Sequence, residues 1–160
     1  LQMTLFEKMA GDLSGVCTKN EELFESNPNE VTLRVICETY RMLEQYDKVI
    51  EVLTKNEKAT KLMVDVTPKN KSIHIAKLSA LAKLNDIPQT KALAEELKKY
   101  INVNEKFEIQ MILMNLYREV KDVVAMEKVK VELLETLDEL DEKDYIKERY
   151  RSQLKEIGNV

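Results

Sequence analysis

Apolar residues recur every three or four positions along the chain, which is the spacing that places them on one face of an α-helix. No stretch alternates apolar and polar residues for long enough to predict a β-strand. The pattern therefore predicts an all-α fold. The stripes are Leu33, Ile36, Cys37, Tyr40, Leu43; Val49, Ile50, Val52, Leu53; Ile73, His74, Lys77, Leu78, Leu81, Leu84; Ala94, Leu97, Ile101; Ile109, Ile112, Leu113, Leu116, Tyr117, Val120; and Met126, Val129, Leu133, Leu137.

Short polar segments separate these stripes and predict the ends of the helices. They are SNPNE at 26–30, TPKN at 67–70, NDIP at 85–88 and VNE at 103–105. Helices joined by such short connections must lie antiparallel to their neighbours. The chain is therefore predicted to be a series of helical hairpins.

Four segments of the chain align with one another and predict the turns of these hairpins. They are MAGDLSGV, MLEQYDKV, KLNDIPQT and EVKDVVAM, beginning at Met9, Met42, Lys83 and Glu119. Each has a polar link followed by an apolar residue that begins the next helix. Those residues are Leu13, Tyr46, Ile87 and Val123. The number of residues between one of them and the next is typical of the repeat in stacked helical hairpins.

The aligned residues resemble the tetratricopeptide repeat, whose pattern is W-x2-L-G-x2-Y, then A-x3-F, then P. In the best-matching unit the pattern falls on Leu33, Ile36, Cys37, Tyr40, Val49 and Leu53, and Pro28 stands at the closing proline of the unit before it. Two weaker copies lack the alanine and the aromatic residue. They fall on His74, Lys77, Leu78, Leu81, Thr90 and Ala94, and on Gln110, Leu113, Met114, Tyr117, Met126 and Lys130.

The resemblance covers residues 3–137 and implies a right-handed superhelix of antiparallel hairpins. It implies one domain over 1–160, with a partial unit at 1–28, units at about 29–66, 71–103 and 105–137, and a capping helix at about 141–157. A longer second helix through KATKLMVDV would explain the extra length of the first full unit. The departures from the pattern leave open a related α-solenoid or an irregular helical bundle.

The two ends of the chain carry separate expectations. LQMTLFEKM begins already in helical rhythm, so we expect a fragment of a longer chain, whose exposed first hairpin could drive self-association. Near the other end, a narrow apolar stripe predicts a cap with one polar face. The acidic run ELLETLDELDEKD before it is interpreted as part of this solvated cap, although it could also dock a basic partner. The stripe is Tyr145, Ile146, Tyr150, Leu154 and Ile157.

Composition limits the classes of partner. A net charge of −4 over 160 residues gives no attraction to nucleic acid phosphates, and no apolar run is long enough to cross a membrane. We expect a cytoplasmic protein, with Cys17 and Cys37 as free thiols.

The sequence does not indicate an enzyme. Its one histidine, His74, excludes two-histidine zinc sites, and its three glycines form no phosphate-binding loop. We interpret His74 as a structural residue, and the Met-rich stretch 111–114 as core rather than an adaptable pocket. No cofactor or metal is expected.

In the resembled family, the first helix of each unit lines a groove that binds peptides or helices of other proteins. Basic residues there could pair with ligand carboxylates while apolar neighbours hold a hydrophobic side chain; alternatively, the arginines pair with Glu38 or Glu119 on a solvated surface. Carried over position by position, the groove residues are Arg34, Glu38, Arg41, Met42, Ile75, Ser79, Lys83, Met111, Asn115 and Arg118.

Three functions fit such an architecture. We favour a protein–protein or protein–peptide interaction module, a scaffold within a multiprotein complex. The alternative is a peptide-sensing regulatory domain of a larger regulator, which an upstream DNA-binding domain would indicate. A helical-repeat RNA binder would need a continuous basic groove, which the acidic balance of the chain argues against.

Overall fold

The computed structural model describes residues 5–60 and 65–157, and every regular element in these ranges is an α-helix. The predicted all-α class is confirmed. The helices are α1 (Leu5–Ser26), α2 (Glu30–Met42), α3 (Tyr46–Thr60), α4 (Lys71–Lys83), α5 (Ile87–Leu97), α6 (Val103–Glu119), α7 (Val123–Glu139) and α8 (Asp144–Glu156).

Three of the four aligned links are tight turns, which connect α2 to α3, α4 to α5 and α6 to α7. In each turn an apolar C-cap residue follows the helix, the next residue has a positive φ, and one polar residue precedes the next helix. The positive φ values are 58° at Glu44, 59° at Asn85 and 61° at Lys121. The prediction that the polar step marks a break between two helices is confirmed at these three places, and the helices on either side pack together at the α2–α3 and α6–α7 turns.

Backbone hydrogen bonds explain the shape of two of these turns, those after α2 and α6. After α2, the amide of Glu44 donates to the carbonyl of Arg41 (3.0 Å) and the amide of Gln45 donates to that of Tyr40 (2.9 Å). These are the two bonds of a Schellman motif, which satisfies the last carbonyls of a helix and requires the left-handed conformation between them. The same pair after α6 joins Lys121 to Arg118 (3.2 Å) and Asp122 to Tyr117 (2.9 Å).

The first aligned link is not a turn, and its prediction was wrong. Residues 9–16 lie inside α1, which runs without a break from Leu5 to Ser26. Gly11 and Asp12 could have formed the turn, but a glycine inside a helix costs only about 1 kcal/mol. The partial unit is therefore one helix rather than a hairpin.

The chain forms two compact units that divide between Leu84 and Asn85. In the first unit, α2 packs against α1, α3 and α4, and α3 also packs against α4. The side chains of one apolar cluster join these four helices: Cys17, Phe24, Leu33, Ile36, Cys37, Val49, Leu53, Ile73, Ala76 and Ala80. The predicted single domain over 1–160 stays a prediction.

The second unit is built around α6, which packs against α5 and α7, while α7 also packs against α8. The ring of Phe107 on α6 meets that of Tyr150 on α8 edge to face, with centroids 5.4 Å apart. Asn102 and Glu105 form a capping box at the start of α6, so residues 103–105 are the first turn of the helix. The predicted break at 103–105 was placed too late; the break precedes Val103.

The last helix is shorter than the predicted 141–157, beginning at Asp144. Leu154 is its buried residue, whereas Tyr145, which we had placed on the apolar stripe, is 69% exposed. Arg151 pairs with Asp138 at the end of α7, so part of the acidic run is neutralised within the chain. The predicted long helix through KATKLMVDV is wrong at its end: α3 extends to Thr60, residues 61–64 lie outside the described residues, and Asp65 and Val66 are not helical.

Candidate functional site

The predicted groove residues lie on three helices. Arg34, Glu38, Arg41 and Met42 are on α2, and Ile75, Ser79 and Lys83 are on α4, which packs against α2 in the first unit. Met111, Asn115 and Arg118 are on α6 in the second unit. Each helix therefore contributes to a surface of its own unit.

Burial divides these residues into accessible and inaccessible ones. Met42 is 64% exposed, and Arg34, Lys83, Asn115 and Arg118 are exposed as well. Glu38, Arg41, Ser79 and Met111 are half-buried. Ile75 is only 5% exposed, so it offers a partner almost no surface.

The ion pairs distinguish the two interpretations of the basic residues. Arg41 donates to Glu38 from 2.7 Å, as expected for arginines that merely pair on a solvated surface. Within the described residues, Arg34, Lys83 and Arg118 make no ion pair. These three cations are consequently available to an incoming carboxylate or carbonyl group.

The N-terminal cap of α2 fixes the start of the helix that carries Arg34 and Met42. Asn29 caps the helix by accepting a hydrogen bond from the amide of Thr32 (2.9 Å), which fixes the first turn. Val31, 62% exposed, follows in that turn and lies on the same side of the helix as Arg34 and Met42. The surface thus combines two large exposed apolar side chains with a guanidinium group.

His74 is buried, as the sequence predicted, with 4% of its surface exposed. Neither ring nitrogen makes a hydrogen bond within the described residues. Burial lowers the pKa of His74 to about 4, the nearby charge of Lys77 also lowers it, and the backbone at Asp65 raises it only in part. His74 is therefore neutral near pH 7 and belongs to the packing of α4.

A second surface in the first unit was missed by the sequence analysis. It is a cavity of about 510 Å³ between α1 and α3, with α2 as its floor, and we call it the α1–α3 groove. No signal in any one segment could have revealed it, because its residues come from three helices and a link. They are Glu21, Phe24, Glu25, Pro28, Ile36, Tyr40, Lys48, Glu51, Val52 and Lys55.

The polar groups at the floor of this groove are engaged with one another. The hydroxyl of Tyr40 donates a hydrogen bond to a carboxylate oxygen of Glu21, and the Nζ of Lys48 lies 5.6 Å from the centre of the tyrosine ring. Burial raises the pKa of the Tyr40 hydroxyl, and its bond to Glu21 raises it further. Tyr40 is consequently a protonated donor whose hydrogen bond is already made.

The two cysteines lie beneath this groove as free, buried thiols. Burial raises the pKa of Cys37 to about 12, and burial also raises that of Cys17. Thiols react as thiolates, so neither residue is activated as a nucleophile. Cys37 is buried in the apolar cluster of the first unit.

Outside these surfaces the described residues offer little chemistry. They contain no group of three or more His, Cys, Asp or Glu side chains that could hold a metal ion, and no helix among them is long and apolar enough to cross a membrane. No protein-family model, curated protein or solved structure matches the chain.

Proposed function

We propose that this chain is a protein-interaction module of the tetratricopeptide-repeat type that binds a segment of another protein. The partner lies against the exposed side of the paired helices α2 and α4 in the first unit, and α6 offers a separate surface in the second unit. Arg34 and Lys83 on the first surface, and Arg118 on the second, bind carboxylate or carbonyl groups of the partner, and Met42 contacts an apolar side chain. The chain acts as a scaffold or adaptor and not as an enzyme.

The packing of the first unit supports the repeat architecture. A repeated hairpin must pack its first helix against both helices of the preceding hairpin, and α4 packs against α2 and α3 in this way. The residues at the pattern positions are also those that a stacked repeat must bury. Those that are buried include Leu33, Ile36, Cys37, Val49, Leu53, Leu78, Leu81, Thr90, Ala94, Met114, Tyr117 and Met126.

One observation supports the binding role most directly. On the α2–α4 surface, Arg34 and Lys83 have no ion-pair partner among the described residues, and Met42, about 12 Å from Arg34 along the axis of α2, is 64% exposed. Arginine and methionine are both enriched at protein interfaces relative to the rest of the surface.

The test is capture of a partner from native lysate by two variants matched in charge. One carries Arg34→Glu, Lys83→Glu and Arg118→Glu; the other carries three equivalent reversals at Lys19, Lys128 and Arg149, exposed residues outside the proposed surface. We expect a protein that the unmodified chain and the second variant retain and the first variant loses. Equal loss from both variants would contradict the proposal, because net charge alone would then explain binding. Recovery of a short free peptide instead of a protein would favour the sensor alternative.

A further inference from the structure

We propose that the α1–α3 groove is a second binding site, which takes the apolar face of an amphipathic helix from a partner protein. The helix carries basic residues on the flank that faces α1 and acidic residues on the flank that faces α3. The site is separate from the surface proposed above. On α2 the groove uses Ile36 and Tyr40, which at 100° per residue lie on the opposite side of the helix from Arg34 and Met42.

The floor of the groove fits apolar side chains. Its accessible hydrocarbon comes from exposed Pro28, half-buried Val52 and the half-buried ring of Tyr40, while Phe24 and Ile36 are buried beneath them. The polar atoms at the floor belong to Tyr40 and Glu21, which already bond each other. A ligand therefore gains by burying hydrocarbon here and needs no hydrogen bond to the floor.

The walls favour a helix over an extended peptide. Both walls are helices, whose backbone amides and carbonyls bond along their own axes, so the groove offers no row of backbone partners. An extended peptide would bury its own backbone groups without partners, which is costly. A helical ligand satisfies its backbone internally and presents only side chains.

The spacing of the wall residues also matches a helix. The α3 wall runs from Lys48 to Lys55, two helical turns or about 10 Å. That length accommodates the anchors at i, i+3 or i+4, and i+7 with which amphipathic helices bind hydrophobic grooves. The cavity volume of about 510 Å³ lies within the usual range of ligand pockets, about 300–1,000 Å³.

The charges on the two walls differ in sign. The α1 wall carries Glu21 and Glu25, whereas the α3 wall carries Lys48 and Lys55 with Glu51 between them. Glu25, Glu51 and Lys55 are exposed and make no ion pair within the described part of the chain. A helix with one basic and one acidic flank complements both walls, and a helix with two like flanks is repelled by one of them.

The test uses three designed helical peptides of about 18 residues, long enough to hold a helix in water. All have leucine at the anchor positions; one carries Lys on one flank and Glu on the other, one carries Lys on both flanks, and one carries Glu on both. Their Kd values are measured by fluorescence anisotropy with the full chain. We expect the mixed peptide to bind tightest, by about threefold to fivefold for each exposed charge pair gained.

Two exposed wall residues allow the preference to be switched. Glu25→Lys should move the preference toward the peptide with Glu on both flanks, and Lys55→Glu toward the peptide with Lys on both. The control is Glu119→Lys, the same change of residue type as Glu25→Lys but at an exposed position on α6. It should leave the order of the three Kd values unchanged. Far-UV circular dichroism checks that each variant is folded.

Three outcomes would overturn the inference: no binding of any peptide, equal binding of all three, or a change in preference with Glu119→Lys that matches Glu25→Lys. None of these would affect the proposed α2–α4 surface, since all the substituted residues lie outside it. Conversely, if Arg34→Glu abolished peptide binding, the peptides would bind the α2–α4 surface, and the proposed binding site in the α1–α3 groove would be wrong.

Discussion

The hydroxyl of Tyr40 on α2 donates a hydrogen bond to the carboxylate of Glu21 on α1. This bond connects the two helices at the floor of the α1–α3 groove, where Lys48 also approaches the tyrosine ring. A hydrogen bond to a charged group contributes about 1.5–3 kcal/mol when buried, and less where water can replace the lost partner. Glu21 is only half-buried, so a value somewhat below this range applies.

Tyr40→Phe is therefore expected to lower the free energy of unfolding by about 1 kcal/mol. The measurement is urea denaturation followed by circular dichroism. Tyr46→Phe is the control, since Tyr46 is half-buried in the same unit and its hydroxyl makes no hydrogen bond with the residues that the structure describes. Equal effects of the two substitutions would show that the bond contributes nothing.

The positive-φ turns predict stabilising substitutions. A residue with a Cβ atom is strained by about 1–2 kcal/mol in the left-handed conformation, and glycine has no such strain. Glycine does, however, lose more conformational entropy on folding. Lys121→Gly should therefore raise the free energy of unfolding by about 0.5–1 kcal/mol. Asn85→Gly should gain less, because asparagine tolerates this conformation better than lysine does. A larger gain at Asn85 than at Lys121 would contradict this explanation of the turns.

These turns also show how far the sequence predicts the fold. The polar links identified the α2–α3, α4–α5 and α6–α7 turns correctly, since an apolar helix end and a polar break are local signals. The same signal at Gly11 and Asp12 was misleading, because whether a helix stops there depends on what the segment before it can pack against. Sequence alone does not contain that information.

The candidate binding sites also differ in how far the sequence predicts them. The resemblance placed Arg34, Met42 and Ile75 on one binding surface; Arg34 and Met42 are exposed, whereas the structure buries Ile75. The α1–α3 groove was not predicted at all. Glu25 and Lys55 face one cavity only because α1 and α3 both pack against α2, and neither residue has a distinctive local pattern.

Burial of His74 predicts a specific dependence of stability on pH. Its folded pKa of about 4 lies below the ordinary 6.5, so in the acidic range the unfolded chain binds a proton that the folded chain does not. This difference in proton binding lowers the free energy of unfolding. The loss is absent above about pH 7 and grows as pH falls from 6.5 towards 4, reaching roughly 2 kcal/mol at pH 5.

His74→Leu should remove this penalty. The difference in the free energy of unfolding between the variant and the unmodified chain should be larger at pH 5 than at pH 7.5, by roughly 2 kcal/mol. Taking the difference cancels the carboxylates, which titrate in both proteins. A difference that does not change with pH would mean that His74 is protonated equally in the folded and unfolded chains.

The first helix gives the predicted self-association a definite surface. Met9, Val16 and Leu23 are all about half exposed and recur every seven residues, which places them along one side of α1. Leu23→Glu should weaken self-association in sedimentation equilibrium. Val124→Glu, at an 83% exposed position on α7, is the matched control. A chain that stays monomeric at high concentration, or one that responds equally to both changes, would contradict this surface.

The most direct test of the proposed function uses the methionine methyl groups as probes. The chain is labelled with ¹³C at the methionine methyls and titrated, in NMR spectra, with the partner recovered by the capture experiment. Met42 is exposed on the α2–α4 surface and Met111 half-buried on α6, whereas Met114 and Met126 are buried and Met9 lies on α1. The proposal predicts that the signals of Met42 and Met111 shift while those of Met9, Met114 and Met126 do not. A shift at Met9 with none at Met42 would contradict it.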